Sequence, residues 1–154
     1  MDNQIFTRTA TLADWEELWP LFRKMGKTDS EENTKIRFEL IVTNSAFFLP
    51  VAIYENKIVG YAWIQNFGPH LRSGKVTSRI HDMFVLEQHR KSGVGKILMR
   101  AIKDWAILTN TSWLQWNSSP KAVEFYKSFG LEPIEEDQNY PLFEVDFRKA
   151  DTLN

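Results

Sequence analysis

The sequence predicts a single α/β domain built on one mixed, mainly antiparallel sheet flanked by helices. Three observations carry this. The chain has 154 residues, 43% of them apolar and 14% aromatic, which is enough for one well-filled core and too little for two ordinary domains. Its hydrophobic periodicities follow the order β-α-α-β-β-β-α-β-α-β-β, which is neither simple βαβ repetition nor all-β. Beyond the middle of the chain, the stretch Arg79 to Leu98 reads as strand, turn and helix, with two glycines at the turn. Residues 1–148 form the predicted domain and 149–154 a C-terminal tail.

Gln4 to Thr9 predicts a short first strand. Thr11-Leu-Ala-Asp14 has capping-box form and opens a helix whose apolar stripe is Leu12, Trp15, Leu18, Trp19 and Phe22, with a kink expected at Pro20. Thr28-Asp-Ser-Glu31 offers a second capping box, starting a helix through Ile36, Phe38, Leu40 and Ile41 that fades near Asn44. From Phe47 the period changes to two: Phe47 to Tyr54 and Ile58 to Gln65 form a hairpin around Glu55-Asn-Lys57. Asn66 to Lys75 is a loop. Ile80 to Leu86 is the next strand, and Val94, Leu98, Ala101, Trp105 and Leu108 recur at helical spacing after it. Ser112 to Trp116 is a short strand. Ser119-Pro120 is a helix start that Gly130 closes, and Leu131–Glu135 and Leu142–Phe147 alternate as two last strands.

Composition limits the function. Net charge is -1, from 19 basic and 20 acidic residues, so no global pull toward nucleic acid or a membrane is expected. The chain has no cysteine, which rules out disulfides, Cys-based metal sites and an acyl-cysteine intermediate. No apolar run approaches the length of a membrane helix and no signal-peptide pattern follows Met1, so a cytoplasmic protein is expected. The oligomeric state, including a homodimer, stays open.

The two glycines of the central turn, Gly93 and Gly95, sit where a helix must begin, although each costs about 1 kcal/mol relative to alanine inside a helix. Side-chain-free residues let the first-turn amides approach an anion closely at the positive end of the helix dipole. Arg90, Lys91, Lys96, Arg100 and Lys103 add positive charge without an acidic residue between them. A diphosphate suits such a turn. The Walker signature fails, because only Val94 separates the glycines, and the dinucleotide fingerprint fails at Leu98, where its third glycine belongs.

What remains, Arg90-x-x-Gly93-x-Gly95 after a strand ending in Val85, resembles the coenzyme A pyrophosphate loop of the GNAT family of acyl-CoA-dependent N-acyltransferases. The order of elements is similar to that family's over nearly the whole chain. The resemblance implies acetyl-CoA as cosubstrate and no metal. It further implies that the backbone of Phe84 and Val85 bonds the pantetheine arm, and that the amides of Lys91, Ser92, Gly93, Val94, Gly95 and Lys96, with Arg90 beside them, hold the pyrophosphate. Asn117 to Gly130 resembles the family's second cofactor segment. Its Asn lies five residues before Ala122 rather than the commoner three, so Ser118 or Ser119 stands as an alternative to Asn117 for the hydrogen bond to the coenzyme.

Family members commonly use the tyrosine at the place of Tyr126 to protonate the departing thiolate. On its own pattern, the stripe Ala122, Phe125, Tyr126, Phe129 more often marks a core tyrosine with a satisfied hydroxyl than a catalyst. The acceptor of such a reaction must be a neutral amine. At pH 7 a primary amine is unprotonated only about once in a few thousand molecules, a deficit of roughly 4 to 5 kcal/mol, so a base is needed. Asp82 and His81 are the candidates, directly or through water. An ion pair for Asp82 and a half-buried strand position for His81 stay open beside that role. His70 is a loop histidine. Asp29, Glu31 and Glu32 either attract a cationic acceptor or simply favour a helix N-terminus. The acceptor is a small-molecule or peptide amine, not nucleic acid. A non-catalytic acyl-CoA-binding module is the competing reading, and acyl groups other than acetyl are not excluded.

Overall fold

A computed structural model gives the fold and describes residues 4–135, 137–146 and 148. The chain divides into two units, the first ending at Asn117 and the second beginning at Ser118.

The first unit holds the whole sheet. Strand β1 (Phe6–Thr9) leads through a 3₁₀ turn (Leu12–Asp14) into helix α1 (Trp15–Met25). The Asp14 carboxylate receives the Thr11 N–H at 2.7 Å and both Arg8 guanidinium nitrogens at 2.7 and 2.8 Å, which locks the helix start to the first strand. The Arg8 guanidinium holds the Asp14 carboxyl below the usual carboxylate range. Helix α1 continues through Pro20, so the expected kink does not end it. Pro20 lies on the exposed side, where the carbonyl deprived of its partner can reach water.

Helix α2 (Glu31–Val42) is capped by Ser30, whose Oγ accepts the Asn33 N–H at 3.2 Å. The cap predicted at Thr28 is therefore two residues early. Asp29 explains the shift, because its carboxylate turns back to the Ser30 N–H at 2.7 Å and fixes the chain just ahead of the helix.

Strands β2 (Phe47–Phe48) and β3 (Pro50–Tyr54) divide the run predicted as one strand, and both pair with β4 (Lys57–Pro69). Glu55 and Asn56 take φ of 48° and 62°, the two positive values that a tight hairpin turn requires to match strand twist. Strand β5 (Val76–Val85), helix α3 (Val94–Leu108) and strand β6 (Thr111–Gln115) follow. The sheet order is β1-β3-β4-β5-β6, with β2 also on β4. All pairings are antiparallel except β5 with β6.

Each face of the sheet carries its own core. On one face α1 and α2 bury Trp15, Leu18, Leu21 and Phe38 against Val51, Tyr61 and Phe84. Trp15 is the hub, with Trp19 stacked at 5.5 Å and Phe38 at 5.4 Å. On the other face α3 buries Val94 and Leu98 against Ala52 and Val59, and Ile102 against Ala62, Ile64 and Ile80. Each fully buried side chain of this size contributes about 1.5–3 kcal/mol.

Gly60 sets how closely α3 can approach. A Cβ there would lie 2.9 Å from the Phe84 carbonyl oxygen on β5 and 3.1 Å from a Val94 methyl at the start of α3. Gly60→Val should therefore destabilise the fold by about 1–3 kcal/mol through overpacking, read as a lower denaturant midpoint at unchanged slope. An unchanged midpoint would show that β4 and α3 can separate freely.

The second unit contains a 3₁₀ turn (Pro120–Ala122) and a short helix α4 (Val123–Lys127), closed by Gly130 at φ 82° with its N–H on the Lys127 carbonyl at 2.9 Å. The two last predicted strands are not formed: residues 131–135 and 142–146 join no ladder, and Phe147 lies outside the described residues. Pro133, inside the first run, has no N–H to give a ladder, Pro141 stands just before the second, and the alternation that suggested strands is not buried, with Ile134 at 87% and Phe143 at 88% exposure.

Candidate active site

Two departures from regular pairing in β5 build the site. The first is on its β6 side. The parallel ladder begins at Val76 with Thr111 and stops at Arg79 with Gln115, while β5 runs on for six residues, Ile80 to Val85, paired with β4 alone. At the fork the Arg79 guanidinium donates to the Asn117 side-chain oxygen. Beyond it β5 has no paired strand on its β6 side among the described residues, the arrangement in which a sheet edge can receive an extended guest.

The cleft ends at the glycine turn. A 3₁₀ turn (Glu87–His89) leads into it, and Arg90 braces it, with Nε donating to the Val85 carbonyl at 3.0 Å and the guanidinium 5.8 Å from the Phe84 ring centroid. Lys91 is left-handed at φ 60°, the Ser92 hydroxyl donates to the His89 carbonyl, and Gly93 caps α3 at φ 92°. The first rung of the helix is the Ile97 N–H on the Gly93 carbonyl at 3.1 Å. The amides of Val94, Gly95 and Lys96 lie ahead of that rung, at the positive end of a 15-residue helix. Apart from its own chain neighbours, no described protein atom lies within 4 Å of where a Gly93 Cβ would stand. Free amides, open space and the cations Lys91 and Lys96 fit a diphosphate.

The second departure is on the β4 side. Trp63 pairs with Asp82 and Ile64 with Ile80, so His81 is an extra residue, a β-bulge. In a regular strand Ile80 and Asp82 would share a face. Here Ile80 packs toward α3, while Asp82 and His81 both lie on the side of Trp63. The His81 ring is 4.4 Å from that of Trp63, and its Nε2 lies 2.8 Å from the Gln65 amide oxygen. Nε2 thus carries the hydrogen, leaving Nδ1 its lone pair. Burial, with Arg79 nearby, pushes the His81 imidazole below its ordinary pKa. Burial pushes the Asp82 carboxyl above the usual carboxylate range, partly opposed by the Tyr61 hydroxyl 3.4 Å from Oδ2. The same burial raises the Tyr61 hydroxyl, which stays protonated.

Asp82 opens into a cavity of about 390 Å³ between α1, α2 and the sheet. Phe22, Phe38, Tyr61 and Trp63 form its aromatic wall. The ion pair of Asp29 and Arg37, at 3.2 Å, also lines it, with both side chains 53% exposed. Sequence reading missed Tyr61 and Trp63. The signal was present, since alternation puts Tyr61, Trp63 and Gln65, three residues with polar tips, on one face of an apolar strand. Of the acidic trio Asp29, Glu31 and Glu32, only Asp29 reaches the cavity, and Arg37 neutralises it.

In the second unit, Tyr126 lies in α4, half-buried, with its ring edge-on to Phe125 at 5.1 Å, and burial raises its hydroxyl pKa. Ser119 precedes the 3₁₀ turn without capping it through its side chain, and the Ser118 hydroxyl donates to the Ser119 carbonyl at 2.7 Å. His70 is a turn residue: its Nδ1 accepts the Arg72 and Ser73 N–H groups at 3.3 Å. Among the described residues no group of three or more His, Asp or Glu could hold a metal ion, and no helix is long and apolar enough to cross a membrane.

A split sheet edge running into a glycine-started helix is the arrangement that the resemblance to acyl-CoA-dependent N-acyltransferases implies. The family comparison agrees: residues 12–131 match the acetyltransferase (GNAT) family, and the chain belongs to it. Solved structures show the same fold. Glucosamine-6-phosphate N-acetyltransferase from Arabidopsis thaliana is 19% identical, covers 94% of this chain and 99% of its own, and has a TM-score of 0.77. AAC(6')-Iy, solved with a bisubstrate analogue of coenzyme A, is 16% identical over 93% and 98%, with a TM-score of 0.79. Ribosomal-protein-alanine N-acetyltransferase from Brucella melitensis biovar Abortus 2308 is 18% identical over 94% and 99%, with a TM-score of 0.70. No curated protein matches the sequence significantly.

Proposed function

We propose that this chain transfers the acetyl group of acetyl-CoA to a primary amine by direct attack within a ternary complex, with residues 1–148 as the catalytic domain. The fork between β5 and β6, ending at the left-handed Gly93, is the observation that carries this reading. The pantetheine arm lies along Phe84 and Val85, the diphosphate sits on the amides of Lys91 to Lys96, and Asn117 and Ser119 border the coenzyme. Asp82 takes the ammonium proton of the acceptor, with His81 beside it. The amine nitrogen then bonds to the acyl carbon, the carbon–sulfur bond breaks, the Tyr126 hydroxyl protonates the thiolate, and the second proton that the nitrogen sheds on becoming an amide passes through solvent to restore the Tyr126 hydroxyl. The raised pKa values of Asp82 and Tyr126 suit these roles: a carboxylate nearer neutrality is the better base, and a tyrosine that stays protonated is a usable acid.

Asp82→Asn tests the base. Turnover should fall by about 10²-fold, and the acidic limb of the native pH–rate profile should disappear. Stability moves the other way. A carboxyl whose folded pKa is raised holds its proton more tightly folded than unfolded, so its contribution is present at low pH and is lost as pH rises from the unfolded value, about 3.9, through the raised one. Asparagine escapes that loss, and the variant should be at least as stable as the native protein at pH 7. Native turnover in Asp82→Asn would transfer the proton to His81 or water.

A further inference from the structure

We propose that the acceptor is a small monoamine on a flat apolar body, an arylalkylamine in chemical class, bound in the cavity between α1, α2 and β4. The proposal rests on the transferase reading above. A volume of about 390 Å³ falls in the range of small-ligand pockets. Its wall of Phe22, Phe38, Tyr61 and Trp63 is extended by Met25 and Ile41, and Phe22 meets Tyr61 edge-on at 4.9 Å. A planar ring entering this space meets aromatic edges and faces over most of its surface.

Charge decides between amines. Two acids and two cations line the cavity: Asp29, Asp82, Lys27 and Arg37. Asp29 and Arg37 cancel each other at the exposed end. Among the described residues that leaves Asp82, beside the fully buried Tyr61, as the one lining carboxylate without an ion pair, and Lys27 as a lining cation without one. A polyamine would bring its second and third ammonium groups toward Lys27, with only Asp29, already paired with Arg37, left to receive them. An amino sugar would desolvate several hydroxyls against an apolar wall, at about 1–3 kcal/mol for each left without a partner. A single amine with an apolar body has neither penalty. Its nitrogen goes inward to Asp82 and its ring lies along the aromatic wall.

Gly26 provides a clean obstruction. It lines the cavity, its φ of 178° is extended backbone that any residue adopts, and no protein atom lies within 4 Å of where its Cβ would stand. Initial rates at saturating acetyl-CoA should be measured for phenylethylamine and tryptamine against spermidine and glucosamine 6-phosphate. The arylalkylamines should lead in kcat/KM by about 10²-fold, as burial of a ring implies. Gly26→Phe should raise their KM at least tenfold and leave the KM for acetyl-CoA unchanged. A preference for spermidine or the amino sugar, or an unchanged amine KM in Gly26→Phe, overturns the proposal. Calorimetry with acetyl-CoA alone separates the two levels: binding without turnover of any amine in the panel refutes the acceptor class only, whereas no binding refutes the transferase reading with it.

Discussion

Gly93→Glu is expected to abolish acetyl-CoA binding while the protein stays folded. Two effects add. At φ 92° an L side chain is strained by about 1–2 kcal/mol, which loosens the turn, and the new carboxylate stands beside the amides and lysines that would receive a diphosphate. The position is exposed and no atom lies within 4 Å of a Cβ there, so the core is untouched. Gly93→Asn separates the effects, because asparagine tolerates the left-handed region and brings no charge, and it should retain most of the affinity. Calorimetry on the three proteins, with thermal unfolding as the control, decides. Undiminished binding in Gly93→Glu would remove the glycine turn from the coenzyme site.

Tyr126→Phe should lower kcat by about 10²- to 10⁴-fold with acetyl-CoA affinity nearly unchanged, since a general acid acts in the transition state. The substitution keeps the ring that stands edge-on to Phe125 and deletes only the hydroxyl. A residue serving packing alone would leave turnover within a few-fold. Rates at saturating acetyl-CoA, with whichever amine the panel returns, distinguish the two. An unchanged kcat would take the acid role from Tyr126 and favour a water-mediated step or a chain that binds acyl-CoA without using it.

The strand, turn and helix from Ile80 to Leu108 were readable because each follows from local pattern: β-formers, then glycines, then apolar residues at helical spacing. The hairpin between Tyr54 and Lys57 was readable for the same reason. What stayed hidden depends on partners far away in sequence. The bulge at His81 exists only in the pairing with Trp63 and Ile64, and neither strand's alternation announces it. The neutralisation of Asp29 comes from Arg37, eight residues on, across the start of α2. Tyr61 and Trp63 passed as ordinary core because their alternation is that of any half-buried strand. The last two strands failed for the opposite reason, since an apolar alternation makes a strand only where an edge receives its N–H groups, and Pro133 interrupts the first run.

The extra residue in β5 also bears on how this chain can change in length. A central strand ordinarily tolerates no insertion or deletion, because one step of slippage exchanges its two faces. Here one such step is already absorbed, at His81 and nowhere else in the pairing of Gly60 to Gln65 with Arg79 to Val85. Losing His81 would leave Ile80 opposite Ile64 and Asp82 opposite Trp63 in regular alternation, each on its present face, whereas losing a residue from the regular stretch on either side would exchange the faces. The bulge is thus the one point in this pairing at which the strand can shed a residue without exchanging its faces, and among homologues β5 should vary in length here before it varies elsewhere in this stretch.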